Sequence, residues 1–121
     1  MTTLPSQIQP LDARAYPRRR LAARQAQTTS NHVYEVPSGK AARIDTMFFA
    51  SSHSGTVTLR VHHVRPGESV GADNALYYDL SIAAKTTTLV DATLWMVAGD
   101  RIVVSANSAN HVVVTIYGEE A

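Results

Sequence analysis

The stretch TVTLRVHHVR, residues 56–65, decides the fold class of this chain. Apolar and polar side chains alternate along it, so that Val57, Leu59 and Val61 share one face of an extended strand. A period of two residues is typical of a strand with one buried and one solvated face. The stretch therefore predicts a half-buried β-strand.

On both sides of this strand the chain keeps the same character. Segments rich in Val, Ile, Thr and Tyr are separated by turn residues, which is the pattern of an all-β sandwich or barrel. Seven or eight short strands with short connections predict an all-β fold, a compact, jelly-roll-like antiparallel β-sandwich with an extended basic N-terminal arm. The predicted strands are residues 32–36, 42–51, 56–65, 75–82, 86–94, 101–106 and 111–117.

Alternation within the strands also predicts which aromatic residues face outward. In residues 75–82 it turns Tyr77 outward, and Trp95 ends a strand beside a loop. Both are candidate contacts with a neighbouring subunit, because interfaces are enriched in Tyr and Trp; a place at the rim of the core is an equal alternative. Residues 42–51 carry bulk on both faces, which predicts that this strand is covered on both sides for part of its length. The residues of strand 75–82 expected to face inward are Leu76, Tyr78, Leu80 and Ile82.

The charge of the chain is concentrated at its N-terminal end. The 121 residues suffice for one domain, and their net charge is +1. Residues 1–28 hold five arginines and one aspartate, a net +4, whereas residues 29–121 have a net −3. Three prolines before residue 18 favour extended chain, and RRRLAARQAQ at residues 18–27 predicts a short helix. We therefore expect a basic arm over residues 1–30 and a sandwich domain over residues 31–121.

The arm is the predicted partner-binding segment. Arginine pairs with carboxylates in bidentate geometry and covers apolar surface with its stem, which favours docking on an acidic protein surface. Nucleic acid is less favoured, because the body is acidic and Tyr16 is the one aromatic residue near the arginines that could stack on bases. A solvated tail is the third interpretation. The predicted contact residues are Arg14, Tyr16, Arg18, Arg19, Arg20 and Arg24.

No pattern of catalytic or metal-binding residues is found in the sequence. There is no cysteine, and the histidines lack HxH or HExxH spacing, although a site built across strands or on a symmetry axis stays open. Ser38-Gly39-Lys40 lacks the upstream glycine of a phosphate loop, the acids are unpaired, and no serine lies in a GxSxG context. We expect no catalytic residue, no metal and no cofactor, and therefore no enzyme.

The sequence also lacks the features of membrane insertion and export. No run of 18 apolar residues occurs. The N-terminus does not show the basic, apolar and small-residue order of a signal peptide, so we expect the protein to act where it is made.

Residues 31–119 resemble small β-sandwich structural proteins of tailed-bacteriophage and prophage virions. The likeness rests on HVYEVPSGKAARI at residues 32–44, which is similar to the opening Y-x-V-P-x-G-K-x-A-x-I of that group. It rests also on NALYYD at residues 74–79, MVAGDRIVV at residues 96–104, and the Val-rich last strand ending Tyr117-Gly118-Glu119. These motifs are turns and strand edges, so they bear on fold more than on role.

The resemblance implies a non-enzymatic virion protein present in many copies. A capsid cement or decoration protein is the leading expectation, one that bridges subunits of the major capsid protein, is made in the host cytoplasm and resides in the capsid. It implies a homo-oligomer, with a trimer favoured. A tail or baseplate component, including a host-surface adhesin, requires the same fold and stays open. Two further alternatives are a sugar-binding module or enzyme, and a nucleic-acid-binding protein.

Overall fold

The computed structural model describes residues 18–121, and their regular structure consists of strands apart from one short 3-10 turn, Ala72–Asn74. Every predicted strand is present, and an eighth precedes them. The predicted all-β antiparallel sandwich is thereby confirmed. The strands are β1 Arg19–Gln25, β2 Asn31–Glu35, β3 Ala41–Ser51, β4 Val57–Val64, β5 Ala75–Ile82, β6 Thr87–Val97, β7 Arg101–Ala106 and β8 Val112–Glu120.

The strands form two four-stranded sheets that pack face to face. Sheet A has the order β1-β8-β3-β6, and sheet B has the order β2-β7-β4-β5. All pairings are antiparallel. Alternate side chains from each sheet meet in a single apolar core. The largest fully buried side chains are Phe49, Ile44, Leu59, Ile82, Met96, Ile102, Ile116, Val36, Val57, Val61, Val64 and Val104.

The prediction of a helix over residues 18–27 is wrong, because most of this segment forms the strand β1. The strand pairs with β8 from Arg19 opposite Gly118 to Gln25 opposite Val113. The N–H of Ala26, which is fully buried, then donates to the carbonyl of Val112 at 2.8 Å. A ten-residue helix is marginal in isolation, whereas β8 offers a free row of hydrogen-bonding groups.

Part of the expected arm is therefore an edge strand of sheet A. The extended conformation expected for residues 1–16, together with Arg14 and Tyr16, lies outside the described residues.

The side-chain alternation predicted for β5 is wrong at its centre, because a bulge inverts it. Leu59 of β4 pairs with Leu80, but Val61 pairs with Tyr77, so β5 carries an extra residue. Asp79 takes up that residue with a φ of 62°. Tyr77 consequently packs against the core, and Tyr78 is 56% exposed. Leu76 is likewise exposed rather than inward, and Leu80 and Ile82 face the core as predicted.

A second bulge explains the bulk on both faces of β3. Ile44 pairs with Gly118 and Thr46 with Tyr117, which leaves Asp45 as an extra residue on β3. Because the alternation changes phase at Asp45, Ile44, Met47 and Phe49 all point into the core. In the described residues, β3 is covered by sheet B on its inner side and by no layer on its outer side, contrary to the prediction.

The turn between β6 and β7 is shorter than the predicted residues 96–100. Met96 is a buried residue of β6, and Gly99 forms the turn with a φ of 88°. The carboxylate of Asp100 accepts a hydrogen bond from the Val97 N–H at 3.2 Å, which closes the turn.

In the described residues, no helix is long and apolar enough to cross a membrane.

Candidate functional site on the outer face of sheet A

The outer face of sheet A, the side turned away from sheet B, carries a group of exposed apolar side chains. Odd-numbered positions of β6 point outward, so that Leu89 is 50%, Trp95 69% and Val97 62% exposed. Beside them, Phe48 and Tyr117 pack edge to face with ring centroids 5.7 Å apart. Exposed apolar residues that lie together on one face of a sheet are typical of a contact surface, and aromatic residues are enriched there.

A row of alternating charges crosses one end of this face. Asp45 accepts hydrogen bonds from Arg43 at 2.8 and 3.2 Å and forms an ion pair with Arg18 at 3.0 Å. Arg43 also pairs with Glu119 at 3.0 Å, and its guanidinium lies 5.8 Å from the ring centroid of Trp95. The row thus connects Arg18 on the N-terminal side to Trp95 on β6.

Electrostatics hold Asp45 and Arg43 of this row in their charged forms. The hydrogen bond from Arg43 lowers the pKa of Asp45, and the charge of Arg18 adds to that effect. The same hydrogen bond raises the pKa of Arg43. The Asp45 carboxylate stays ionised as a result, and Arg43 keeps its planar side chain beside the indole of Trp95.

Two shallow cavities of about 300 Å³ each lie on this face. The lining of one cavity includes Arg18, Phe48, Leu89 and Tyr117. The lining of the other includes Arg43, Trp95, Val97 and Glu119. Each combines an arginine with aromatic or aliphatic surface, and such a combination can receive apolar or carboxylate side chains of another protein.

The structure brings two of the predicted contact residues, Arg18 and Trp95, to the same face. Arg20 is exposed on β1 and pairs with Tyr117 in register, so it borders this face as well. Tyr77 lies on sheet B, against the core, and its predicted role as a subunit contact stays a prediction.

Two other arginines of the predicted set contact their own chain. Arg24 donates to the carbonyl of His32 at 3.1 Å, and Arg19 lies 3.9 Å from the Glu120 carboxylate. The Tyr34 hydroxyl donates to Glu120 at 2.6 Å. Burial, with the adjacent carboxylate, raises the pKa of Tyr34. These contacts bind β1 to β2 and β8.

Sequence reasoning missed several members of this face: Arg43, Phe48, Leu89, Val97 and Tyr117. One feature of the sequence indicates part of this face. Leu89, Trp95 and Val97 are separated by even numbers of residues in a strand-like segment, so they point to the same side of a strand. The others are brought beside them by pairing between distant strands.

Most of the histidines contact groups that shape the loops. The Asn74 amide oxygen contacts His62 Nδ1 at 3.0 Å and accepts from the Gly71 N–H at 3.2 Å. His63 Nε2 lies 3.0 Å from the Asp100 carboxylate. These contacts hold the 3-10 turn and the β6–β7 turn against β4.

His53 and His111 meet at another loop, with ring centroids 4.1 Å apart. Nδ1 of His53 accepts from the Gly55 N–H at 2.8 Å, which shapes the turn before β4. Within residues 18–121, no three His, Cys, Asp or Glu residues are grouped to hold a metal ion.

Comparisons with known sequences and solved structures give a distant structural likeness. No family model and no curated protein matches the sequence. A structure of infectious bursal disease virus, Gx strain, is similar over 85% of this chain and 30% of that chain, with 9% identity and a TM-score of 0.41. A likeness at this level carries no argument about function.

Proposed function

We propose that the protein is a non-enzymatic structural protein of a bacteriophage virion, a capsid cement or decoration protein that bridges subunits of the major capsid protein. The resemblance of residues 31–119 to virion β-sandwich proteins supports the class. The outer face of sheet A supports the mode of action, because it is a surface suited to a protein partner.

The observation that carries the proposal is the placement of Arg18, Arg43 and Trp95 on one exposed face. Tyr, Trp and Arg dominate the binding energy of protein interfaces, especially where an aromatic ring and a guanidinium lie together. Because Asp45 already orients Arg43, its side chain loses little conformational freedom when a partner docks.

The arm that we propose for attachment is shorter than residues 1–30, since β1 belongs to sheet A. It comprises residues 1–17 and Arg18, and the exposed Arg20 of β1 continues the basic surface beside the outer face. In this proposal the basic segment reaches a neighbouring subunit and pairs with its carboxylates, as Arg18 pairs with Asp45 here.

Repetition is the second element of the proposal. Each copy would contribute a modest contact, and many copies on one shell would add to a large total stabilisation. The histidine contacts agree with a structural role, since His62 and His63 support loops of the sandwich.

The experiment that tests location is a count of copies per purified virion by quantitative mass spectrometry. A capsid protein is expected at on the order of hundreds of copies per particle, as repeated attachment requires. A handful of copies would overturn the capsid assignment and indicate a tail or baseplate component. Absence from purified particles would overturn the virion role altogether.

The mode of attachment is tested with matched charge reversals. Arg20→Glu is expected to weaken binding to undecorated capsids by about tenfold or more, because interface arginines contribute strongly to affinity. Arg65→Glu, an exposed position on the loop after β4, is the control and is expected to bind normally. Equal binding by both variants would remove the basic segment from the mechanism.

A further inference from the structure

We infer that two copies of this chain associate through β6, antiparallel about a two-fold axis, so that sheet A of one continues into sheet A of the other. In the described residues, β6 pairs with β3 on one side and with no strand on the other. The free side presents unpaired backbone N–H and C=O groups from Thr87 to Trp95, whereas both groups of Val97 already bond with Asp100. Such an edge is a template for another strand.

The other three sheet edges in residues 18–121 carry features that oppose pairing. β1 has three arginines in seven residues and a register shift after Arg20. β2 has five residues and is also irregular, and β5 is bent by the bulge at Asp79. Charges, short length and bulges are the usual protections of an edge.

β6 has fewer of these protections, although its register with β3 shifts where Ala92 and Thr93 lie opposite Asp45. Its sequence TTLVDATLWMV contains no Lys, Arg, Pro or Gly. Its one charged residue, Asp91, accepts a hydrogen bond from Thr46 of the same chain at 2.9 Å. Alternation along the strand leaves Leu89, Trp95 and Val97 exposed on one face.

The sequence of β6 is self-complementary in one register. When the two 11-residue strands overlap over their full length, Leu89 lies opposite Trp95 of the partner subunit. In the same register Asp91 lies opposite Thr93 of the partner subunit. Thr87 lies opposite Val97 of the partner subunit, whose backbone groups bond with Asp100, so the paired ladder runs from Leu89 to Trp95. Directly opposite side chains are the stabilising unit of an antiparallel pair, and each of these pairs occurs twice.

Shifted registers are less favourable. If the two-fold axis instead passes through Asp91, this residue lies opposite its own copy. The two carboxylates then repel each other. The equivalent shift toward the C-terminal end places Asp91 opposite Trp95 of the partner subunit and leaves Leu89 without the indole. The full-length register is therefore the one that the occupant, a second copy, fits best.

This inference does not rest on the proposed virion role, since a copy count on particles and the mass of the free protein are separate measurements. It does specify the oligomer. A two-fold contact of identical surfaces produces a dimer, not the trimer that the resemblance favours.

The mass of the full chain in solution tests the association. Analytical ultracentrifugation is expected to show a species of twice 13.1 kDa that dissociates on dilution. Trp95 is the sole tryptophan, so its emission should move to longer wavelength over the same dilution range as the indole becomes exposed. A monomer at all concentrations, a trimer, or a dimer whose emission does not change on dissociation would overturn the inference.

Two variants of one exposed position test the register. Thr93→Asp places a carboxylate opposite Asp91 of the partner subunit twice per dimer and is expected to weaken dimerisation by about tenfold or more. Thr93→Lys places an ammonium there and is expected to keep or strengthen the dimer. Circular dichroism and thermal unfolding of both monomers check that they fold. An equal effect of the two substitutions on dimerisation would overturn this register.

A monomer whose Trp95 is already shielded from a soluble quencher would mean that another part of the same chain covers the face. That result, too, would overturn the association of two copies through β6.

Discussion

The two bulges at Asp45 and Asp79 are of the same kind but lie in different parts of the sandwich. Each inserts one residue into a strand, inverts the side-chain alternation, and places an aspartate next to an arginine. Asp45 lies within sheet A, between β8 and β6, and its side chain is 13% exposed. Asp79 lies on the edge strand β5, and its side chain is 56% exposed.

The difference is in what maintains each bulge. At Asp45 the neighbouring strand must approach closely, and Gly118 allows the approach because it has no side chain. At Asp79 the local backbone itself accepts a φ of 62°, which Asp and Asn tolerate better than other residues with side chains. An interior bulge thus depends on its neighbours, whereas an edge bulge depends on its own residue.

The strongest way to break this comparison is Gly118→Ala. A Cβ at this position overlaps the carbonyl oxygen of Arg43 and comes within 3.0 Å of the Ile44 Cα. Because both are backbone atoms, the strands must separate, and the free energy of unfolding is expected to fall by about 3 kcal/mol. Chemical denaturation measures this change. The control is Gly71→Ala, where no atom lies within 4 Å of a Cβ and little change is expected; equal losses for the two would contradict the role of Gly118.

An intermediate effect is expected at Asp79, from the backbone and not from the charge. Asp79→Val puts a β-branched residue at positive φ, which costs about 1–2 kcal/mol. Asp79→Asn keeps the tolerated conformation and removes the exposed ion pair with Arg60, so its unfolding curve should nearly coincide with that of the native chain. If Asn destabilised as much as Val, the charge and not the backbone would maintain this bulge.

The smallest effect, and one that depends on pH, is expected for Asp45→Asn. The pKa of Asp45 is lowered in the folded protein, so its carboxylate stabilises the fold above the ordinary carboxyl pKa. That stabilisation is lost as pH falls through the lowered pKa. Unfolding free energies of the native and variant chains should therefore differ at neutral pH and converge in strong acid. A difference that stays constant with pH would mean that shape, and not charge, matters at Asp45.

Alternation in β4 could be predicted because it is local: Val57, Leu59 and Val61 are all buried, as expected from the sequence. The faces of Tyr77 and Tyr78 could not, since the bulge between them and Leu80 depends on pairing with β4. Local propensity likewise favoured a helix over residues 18–27, and the open edge of β8 overrode it.

The candidate site follows the same rule. Trp95 and Arg18 could be selected from their residue types and positions, whereas Arg43 and Tyr117 could not. The latter come together through the pairing of β3 with β6 and β8, whose partners are far apart in the chain.

The pairing of β1 with β8 has a mechanical consequence. Arg19 lies opposite Gly118, so the first and last residues of the described chain emerge side by side at the same end of sheet A. A force that pulls Arg18 and Ala121 apart therefore acts perpendicular to the strands and breaks the hydrogen bonds between β1 and β8 one after another from that end. The same force applied along the strands would load all of these hydrogen bonds together. A tether through both termini would therefore separate β1 from β8 at low force.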